Sequence, residues 1–227
     1  MLTLVSGLRV DQAQRRTESI FAECIVAPFT GDNPATVMAL SSPGDAVLSL
    51  GTSTTFLLSI PGSDVPPKRF TTSHLLAHPT SYHGQIAMLC YKNGALAREN
   101  VRNKFAKGDW AYFNELVQAT PAGCGGKMTL YFPLREIIPP GVEGEHSFEY
   151  DPSDLNKAPR PVDDVPDDIH PRAILESQFL SIRSRIAAIL PANAPHLRRL
   201  VISGGSSANP VIRQIAAVSP IRLYCIC

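Results

Sequence analysis

The chain has 227 residues, of which 44% are apolar, and its 21 lysines and arginines nearly balance its 20 aspartates and glutamates. This composition predicts a globular protein with enough apolar area for a substantial core, and the balanced charge indicates no nucleic-acid surface. No stretch approaches the roughly 18 apolar residues of a membrane span, and residues 1–10 are too short an apolar segment for a signal peptide. We therefore expect neither a nucleic-acid nor a membrane partner.

The first predicted elements surround a Gly-Asp-Asn-Pro turn. A polar helix is predicted over 11–21, an apolar strand over 23–29, and a second helix over 33–40 with Pro34 in its first turn. Asp32 lies between that strand and that helix. Its carboxylate either caps the helix or serves as a base that accepts a hydroxyl proton during phosphoryl transfer.

A hairpin is predicted next, with strands at 45–50 and 54–60 joined by the polar turn Gly51-Thr52-Ser53. In one interpretation this is only a tight turn, in which Gly51 supplies an unusual backbone angle and the hydroxyls satisfy loop amides. In the other, the bare backbone of Gly51 lets a phosphate approach, and the two hydroxyls donate hydrogen bonds to its oxygens.

The middle of the chain is predicted to be helical over 93–119, where apolar residues recur at three- and four-residue spacing. Lys92, Arg98 and Arg102 are expected on the solvent-facing side of this region, and contacts with a ligand cleft are the alternative. An acidic, proline-rich stretch at 151–171 cannot bury much apolar area. It predicts an exposed loop or linker that divides the chain into two halves.

A long amphipathic helix is predicted before Pro191, because apolar residues follow each other at steps of four and three. This apolar stripe consists of Leu175, Phe179, Ile182, Ile186 and Ile189.

The remaining sequence predicts a strand at 198–203, a helix at 211–218 and a strand at 221–227. Asn209 is the predicted N-cap of this helix, and Pro210 takes its first helical position. A strand-helix-strand order of this length predicts a parallel, right-handed unit.

Three polar turns thus follow predicted buried strands, and ligands of open α/β sheets bind beyond the carboxyl ends of strands. Gly204 and Gly205 have no side chains, so they leave a flat surface on which a planar base can lie. Neither a GxGxxG fingerprint with its acidic residue nor a Walker phosphate loop is present.

Taken in order, these motifs resemble the C-terminal half of an FGGY-family carbohydrate kinase, most closely the eukaryotic, especially fungal, xylulose kinases. The matching segments are TGDNP, SLGTSTTFLLSIP, MLCYKNGALARENVR, LYFPLREIIP, AILESQFLSIRSR and VISGGSSANP. The resemblance implies an α/β fold of the actin-like ATPase (ribonuclease H-like) type, in which two domains clasp the ligands. It also implies ATP and Mg²⁺ as cofactors and a small sugar as substrate.

The same resemblance implies roles for two of the turns. It makes Asp32 the catalytic base and places the neighbouring Asn33 in contact with the sugar. It places Gly51, Thr52 and Ser53 against the nucleotide phosphates.

For the nucleotide base, the resemblance implies that Gly204, Gly205 and Asn209 border the adenine. The single tryptophan, Trp110, matches a family position beside the nucleotide. On physical grounds alone, an aromatic anchor that packs a helix on the core explains Trp110 at least as well.

The chain also departs from the family pattern. Family members begin with another domain of comparable size, which carries a first phosphate turn, most sugar contacts and a magnesium carboxylate, and nothing in 1–227 matches it. We therefore expect a partial C-terminal domain, a D-xylulose kinase by ancestry, with little or no activity alone. The alternatives are a non-catalytic nucleotide-binding or oligomerising fragment, or a family kinase for glycerol, ribulose or gluconate.

Cysteines and histidines give no further site. The five cysteines are odd in number and lack CxxC spacing, which favours reduced thiols and a cytoplasmic location. His74, His78 and His83 lack the HExxH spacing of a helical metal site, so no metal ligands are expected from this chain.

Overall fold

A computed structural model of the chain describes residues 30–60, 62, 72–81, 83–154, 156–190 and 197–218. Three predicted elements lie outside the described residues. They are the helix at 11–21, the strand at 23–29 and the strand at 221–227.

Two sheets and five α-helices make up the described part of the chain. The strands are β1 (Asp45–Leu50), β2 (Thr54–Ile60), β3 (His74–Ala77), β4 (Gln85–Tyr91), β5 (Lys127–Phe132), β6 (Gly144–Glu149), β7 (Arg160–Val162) and β8 (Arg199–Ser203). The helices are α1 (Asp32–Leu40), α2 (Gly94–Phe105), α3 (Trp110–Ala119), α4 (His170–Ile189) and α5 (Pro210–Val218). The larger sheet has the strand order β3-β4-β2-β1-β8, and the smaller has the order β5-β6-β7.

The larger sheet is buried on both faces at its centre. On one face Leu48 and Phe56, which are register partners, join the main core beneath helices α2 to α5. On the other face Val47 and Leu57 pack with Val37 of α1. Strands covered on both sides carry apolar residues on both faces, which explains the consecutive apolar residues at 46–48 in β1 and 56–58 in β2.

The predicted apolar stripe of the long helix is confirmed. Its five residues are all buried in the main core, and α4 ends before Pro191 as expected (Leu175, Phe179, Ile182, Ile186 and Ile189). The predicted hairpin of β1 and β2 is confirmed as well, with Leu50 paired to Thr54 across the turn.

The acidic, proline-rich stretch at 151–171 is exposed over most of its length, yet it contributes to the fold at two places. Arg160–Val162 pairs with β6 as the outer strand of the smaller sheet. Val165 is buried at 3% exposure, and the long helix begins at His170 within the stretch. Backbone pairing needs no apolar side chain, so composition alone does not reveal a short edge strand.

A parallel pairing joins the two ends of the described chain. β8 lies beside β1 in parallel register, from Asp45 opposite Arg199 to Ser49 opposite Ser203. The Arg199 guanidinium also donates to the nearly buried Asp45 carboxylate at 2.9 Å. The carboxyl ends of both strands therefore lie next to each other at one edge of the sheet. No helix in the described parts of the chain is long and apolar enough to cross a membrane.

His170 fastens the smaller sheet to the helical layer. Its ring stacks on Phe105 of α2 with centroids 3.7 Å apart, and its Nδ1 lies 2.7 Å from the Tyr131 hydroxyl of β5. Because burial disfavours the imidazolium, the pKa of His170 is lowered from its ordinary value of 6.5. The neutral ring therefore belongs to the folded state.

We expect the free energy of unfolding to fall as the pH drops from about 7.5 to about 5.5, because the unfolded chain then binds a proton that folded His170 resists. Urea denaturation at both pH values measures the difference in the free energy of unfolding. This difference should be smaller in His170→Gln than in the unmodified chain. His146→Gln is the control, since His146 is exposed on β6. An unchanged pH difference in His170→Gln would contradict the assignment.

Candidate functional site

The two glycine-containing turns are in backbone contact. Gly204 follows β8 with φ +87°, and a Cβ placed on it would lie 2.6 Å from the Leu50 carbonyl carbon and 2.7 Å from the Gly51 nitrogen. No side chain fits in that space. Parallel pairing of β1 with β8, together with a residue that has no side chain, therefore joins two motifs about 150 positions apart in the sequence into one surface.

The turn after β1 has one exposed polar side chain and two hydrogen bonds to the start of α2. Thr52 is exposed, while its carbonyl accepts a hydrogen bond from the Ala95 amide at 3.2 Å. The Ser53 hydroxyl lies 3.3 Å from the Lys92 carbonyl, to which it donates. The turn is thus held against the start of α2, and the Thr52 side chain remains accessible to a ligand.

The start of α2 is itself fixed by a buried carboxylate that the sequence analysis did not identify. Glu136, in the loop after β5, accepts hydrogen bonds from the amides of Lys92 at 2.7 Å and Asn93 at 3.0 Å. The Asn93 side chain donates to the Leu134 and Arg135 carbonyls of the same loop. The segment LYFPLREIIP was recognised only as a family motif, because a cap supplied from 43 residues away leaves no local pattern.

Gly94 allows α2 to approach the hairpin. A Cβ at this position would lie 2.1 Å from the Thr54 hydroxyl oxygen, so only glycine fits. The close approach brings the first turn of α2 against the residue that follows the Gly51-Thr52-Ser53 turn.

Arg98 was expected on the solvent face of a helix, and this prediction is wrong. Its side chain is 1% exposed, and its guanidinium donates to Thr54 Oγ1 at 3.1 Å, Gln178 Oε1 at 2.8 Å and Ser206 Oγ at 3.2 Å. Burial lowers the pKa of Arg98 to about 10, so the group remains charged at neutral pH. Helical spacing placed Arg98 among polar residues, but the spacing does not show that the hairpin and the glycine turn cover it.

The turn after β8 combines an open surface with a helix cap. A Cβ on Gly205 would meet nothing within 4 Å, so this residue lies open to a ligand. The Asn209 side chain accepts from the amides of Val211 at 2.9 Å and Ile212 at 3.3 Å, which confirms the predicted N-cap of α5. Its Nδ2 donates to Asn114 Oδ1 at 2.8 Å, tying the turn to α3.

Trp110 begins α3 and is half-buried. Its ring meets Phe113 edge-on at 5.1 Å between centroids, and the Arg102 guanidinium lies 4.8 Å above its face. The ring also packs against the main core. The interpretation of Trp110 as an aromatic anchor therefore accounts for its contacts within the chain.

Asp32 is the first residue of α1, and the N-cap position is taken by Gly31. The Asp32 carboxylate is exposed and accepts from the adjacent Asn33 amide at 2.8 Å. It thus contributes to the helix start through one first-turn amide while its outer oxygens face solvent, an arrangement compatible with helix stabilisation and with proton acceptance.

Two contacts indicate the direction of α1. At its C-terminal end the Leu40 carbonyl accepts from Arg199, which lies at the start of β8. One turn earlier, Val37 packs near the middle of β1 against Val47. A nine-residue helix is about 13 Å long, so continuing this direction leads the N-terminus and Asp32 toward the edge where β1 and β8 end.

Within the described ranges, no group of three or more His, Cys, Asp and Glu side chains could hold a metal ion. Cys90 and Cys124 have free thiols, and neither belongs to such a group of potential metal ligands. Burial raises the pKa of Cys124 to about 12.

Residues 46–218 match the C-terminal domain of the FGGY family of carbohydrate kinases. The chain belongs to this family. The match runs from the start of β1 to the end of α5, so it contains both glycine turns and the Arg98 contacts, and Asp32 precedes it.

Two curated relatives of similar identity are fungal proteins. The chain is 40% identical over 222 residues to a probable D-xylulose kinase A of Arthroderma otae, covering 87% of this chain and 38% of the relative. It is also 40% identical over 213 residues to the probable D-xylulose kinase A of Aspergillus terreus, covering 86% of this chain and 36% of the relative. The chain thus spans less than two fifths of the length of these two relatives.

Solved structures of FGGY kinases share the fold. The xylulose kinase of Bifidobacterium adolescentis superimposes with a TM-score of 0.65 at 24% identity, over 85% of this chain and 35% of that one. The xylulose kinase of Rhodospirillum rubrum gives a TM-score of 0.61 at 20% identity, over 82% and 35% of the two chains. The predicted α/β fold of the actin-like ATPase type is confirmed, and the chain covers part of it.

The contact between the two turns can be tested with a pair of glycine variants. Gly204→Ala should lower the free energy of unfolding by about 1–3 kcal/mol, because the methyl group meets the Leu50–Gly51 backbone at a positive φ. Gly205→Ala is the matched control and should stay within about 0.5 kcal/mol of the unmodified chain. Equal urea denaturation midpoints for the two variants would contradict the contact.

Proposed function

We propose that the chain supplies the nucleotide-binding wall and the catalytic base of a D-xylulose kinase, which transfers a phosphoryl group from ATP to D-xylulose and releases ADP. The observation that carries the proposal is the backbone contact of Gly204 with Leu50 and Gly51, which brings the two glycine turns into one surface. The sugar is proposed from the two fungal relatives at 40% identity.

For the nucleotide, we assign the phosphates to the turn after β1 and the adenine to the turn after β8. Thr52 is exposed, and its neighbour Gly51 has no side chain to obstruct a phosphate. Open space above Gly205 leaves room for a planar base. Asn209 caps α5, so we assign it the role of shaping this turn at the edge of the base.

For the sugar, we assign the base to Asp32 and a hydroxyl contact to Asn33. A carboxylate is a weak base for an alcohol, but the transition state of phosphoryl transfer is loose and the proton leaves late. The carboxylate then acts mainly by orienting the attacking hydroxyl. The exposure of Asp32 and the direction of α1 support this assignment.

Mg²⁺ is the expected companion of ATP in phosphoryl transfer. No described residue is assigned to hold the ion, and no catalytic step of this chain depends on it. A cytoplasmic location is part of the proposal, and the free thiols of Cys90 and Cys124 are compatible with it.

Nucleotide binding can be followed through Trp110, the single tryptophan of the chain. Addition of ATP or ADP should change its fluorescence, because a nucleotide beside the ring alters the environment that Arg102 and Phe113 now provide. Gly205→Leu should raise the Kd obtained from this fluorescence titration at least about tenfold, because the leucine side chain fills the space assigned to adenine. If Gly205→Leu binds ATP and ADP with the same Kd as the unmodified chain, the adenine assignment is wrong.

Catalysis is best measured in a chimera in which this chain replaces the matching part of the Arthroderma otae relative, so that the first domain is present. We expect D-xylulose-dependent release of ADP, reduced on the order of 10²- to 10⁴-fold in turnover by Asp32→Asn. Glu115→Gln is the control, since Glu115 is an exposed carboxylate on α3. Unchanged turnover in Asp32→Asn would remove the base from its role.

The choice among sugars is measured in the completed protein and not in this chimera, because the borrowed first domain is expected to carry most sugar contacts. In the completed protein, faster phosphorylation of glycerol, ribulose or gluconate than of D-xylulose would indicate another kinase of the family. Binding of ATP without phosphorylation of any of these compounds would favour a non-catalytic nucleotide-binding protein.

A further inference from the structure

Among the described residues, the buried Arg98 guanidinium is held only by neutral groups. Its three hydrogen-bond acceptors are the hydroxyls of Thr54 and Ser206 and the amide oxygen of Gln178. Within the part of the chain that the structure describes, no carboxylate lies within 4.0 Å of its guanidinium. Its Nε is buried and has no hydrogen-bond partner among the described residues.

A buried charge is costly unless an opposite charge compensates it. The carboxylate of the next residue, Glu99, acts on Arg98 through space and raises its pKa, but Glu99 is exposed and the effect of burial is larger. The positive charge of Arg98 thus remains largely uncompensated within the described protein.

The position of this charge is significant because it lies under both turns of the candidate site. Thr54, which accepts from Nη1, directly follows the Gly51-Thr52-Ser53 turn. Ser206, which accepts from Nη2, directly follows Gly205. Gln178 of α4 fixes the plane of the guanidinium, since its own amide nitrogen is held by the Gly94 carbonyl at 3.0 Å.

We infer that Arg98 is the positioning residue that makes this site selective for polyphosphate nucleotides. Its fork of donors holds the two turns in register, and its uncompensated charge is balanced by the nucleotide phosphates when they bind above it. Arg98 does not touch the ligand, because its side chain is covered by Thr54 and Ser206. This inference rests on the proposed nucleotide site. It adds the group whose positive charge makes the site prefer ligands that carry phosphates.

The inference predicts a difference between ligands that carry phosphates and a ligand that does not. Coulomb attraction across one layer of side chains, at the effective dielectric near a protein surface, corresponds to on the order of tenfold or more in affinity. Arg98→Met should therefore weaken the affinity for ATP and ADP by about tenfold or more, while the affinity for adenosine changes less than about twofold. A purely structural role would weaken all three ligands alike.

The experiment is calorimetric titration of the 227-residue chain and its variants with ATP, ADP and adenosine. Arg98→Lys keeps the charge, so it should retain most of the preference for ATP over adenosine. Arg183→Met serves as the control, because Arg183 lies on α4 and no part of the site has been assigned to it. Should Arg98→Met lose its folded circular dichroism, Arg98→Gln replaces it, since glutamine keeps a donor for Thr54 or Ser206.

The outcomes are distinct. If the unmodified chain prefers ATP over adenosine and the neutral variant keeps that preference, the inference about Arg98 is wrong while the proposed site stands. If Arg98→Met loses equal affinity for ATP and for adenosine, Arg98 has only a packing role, and the inference is likewise wrong. If the unmodified chain binds none of the three ligands, the proposed nucleotide site fails, and the role of Arg98 fails with it.

Discussion

The parallel pairing of β1 with β8 is the constraint on which the site depends. It brings strands from opposite ends of the described chain into register, so both strands end at the same edge of the sheet. The turns that follow them then meet as backbone, and Gly204 is the residue that permits the contact. Without this pairing the two glycine turns would be unrelated loops, and Arg98 would have no second turn to bind.

A second layer of contacts stiffens this edge from below. Glu136 fixes the start of α2, Gly94 lets α2 approach the hairpin, and Arg98 then reaches both turns from the same helix. Each contact joins elements that are distant in sequence. A ligand site built on such contacts is preorganised, because its turns are held by helices and strands and not by the loops themselves.

The sequence predicted the local features well, because each depends on neighbouring residues. The β1–β2 hairpin, the buried stripe of α4 and the Asn209 cap follow from alternation, helical spacing and the chemistry of capping, and all three are confirmed. The family was recognised from the order of the turns and is confirmed by the match over residues 46–218. The assigned roles of Asp32 and of the nucleotide contacts remain predictions.

The features that the sequence did not reveal are those that depend on long-range contacts. Helical spacing predicts a solvent-facing Arg98, because nothing near it in the sequence indicates that Thr54 and Ser206 cover it. The cap supplied by Glu136 is missed for the same reason, because its partner Asn93 lies 43 residues away. In each case the partner lies outside the window in which periodicity and capping rules apply.

The pairing of Asp45 with Arg199 also sets the order in which the sheet can be completed during synthesis on the ribosome. β2, β3 and β4 emerge soon after β1, but among the described strands the partner of the other edge of β1 is β8, whose Arg199 follows Asp45 by 154 residues. Over that interval the nascent polypeptide exposes an apolar strand with unpaired amides, the kind of edge that invites association with other chains. Among the described strands, this edge of β1 is therefore covered only after β8 has been synthesised.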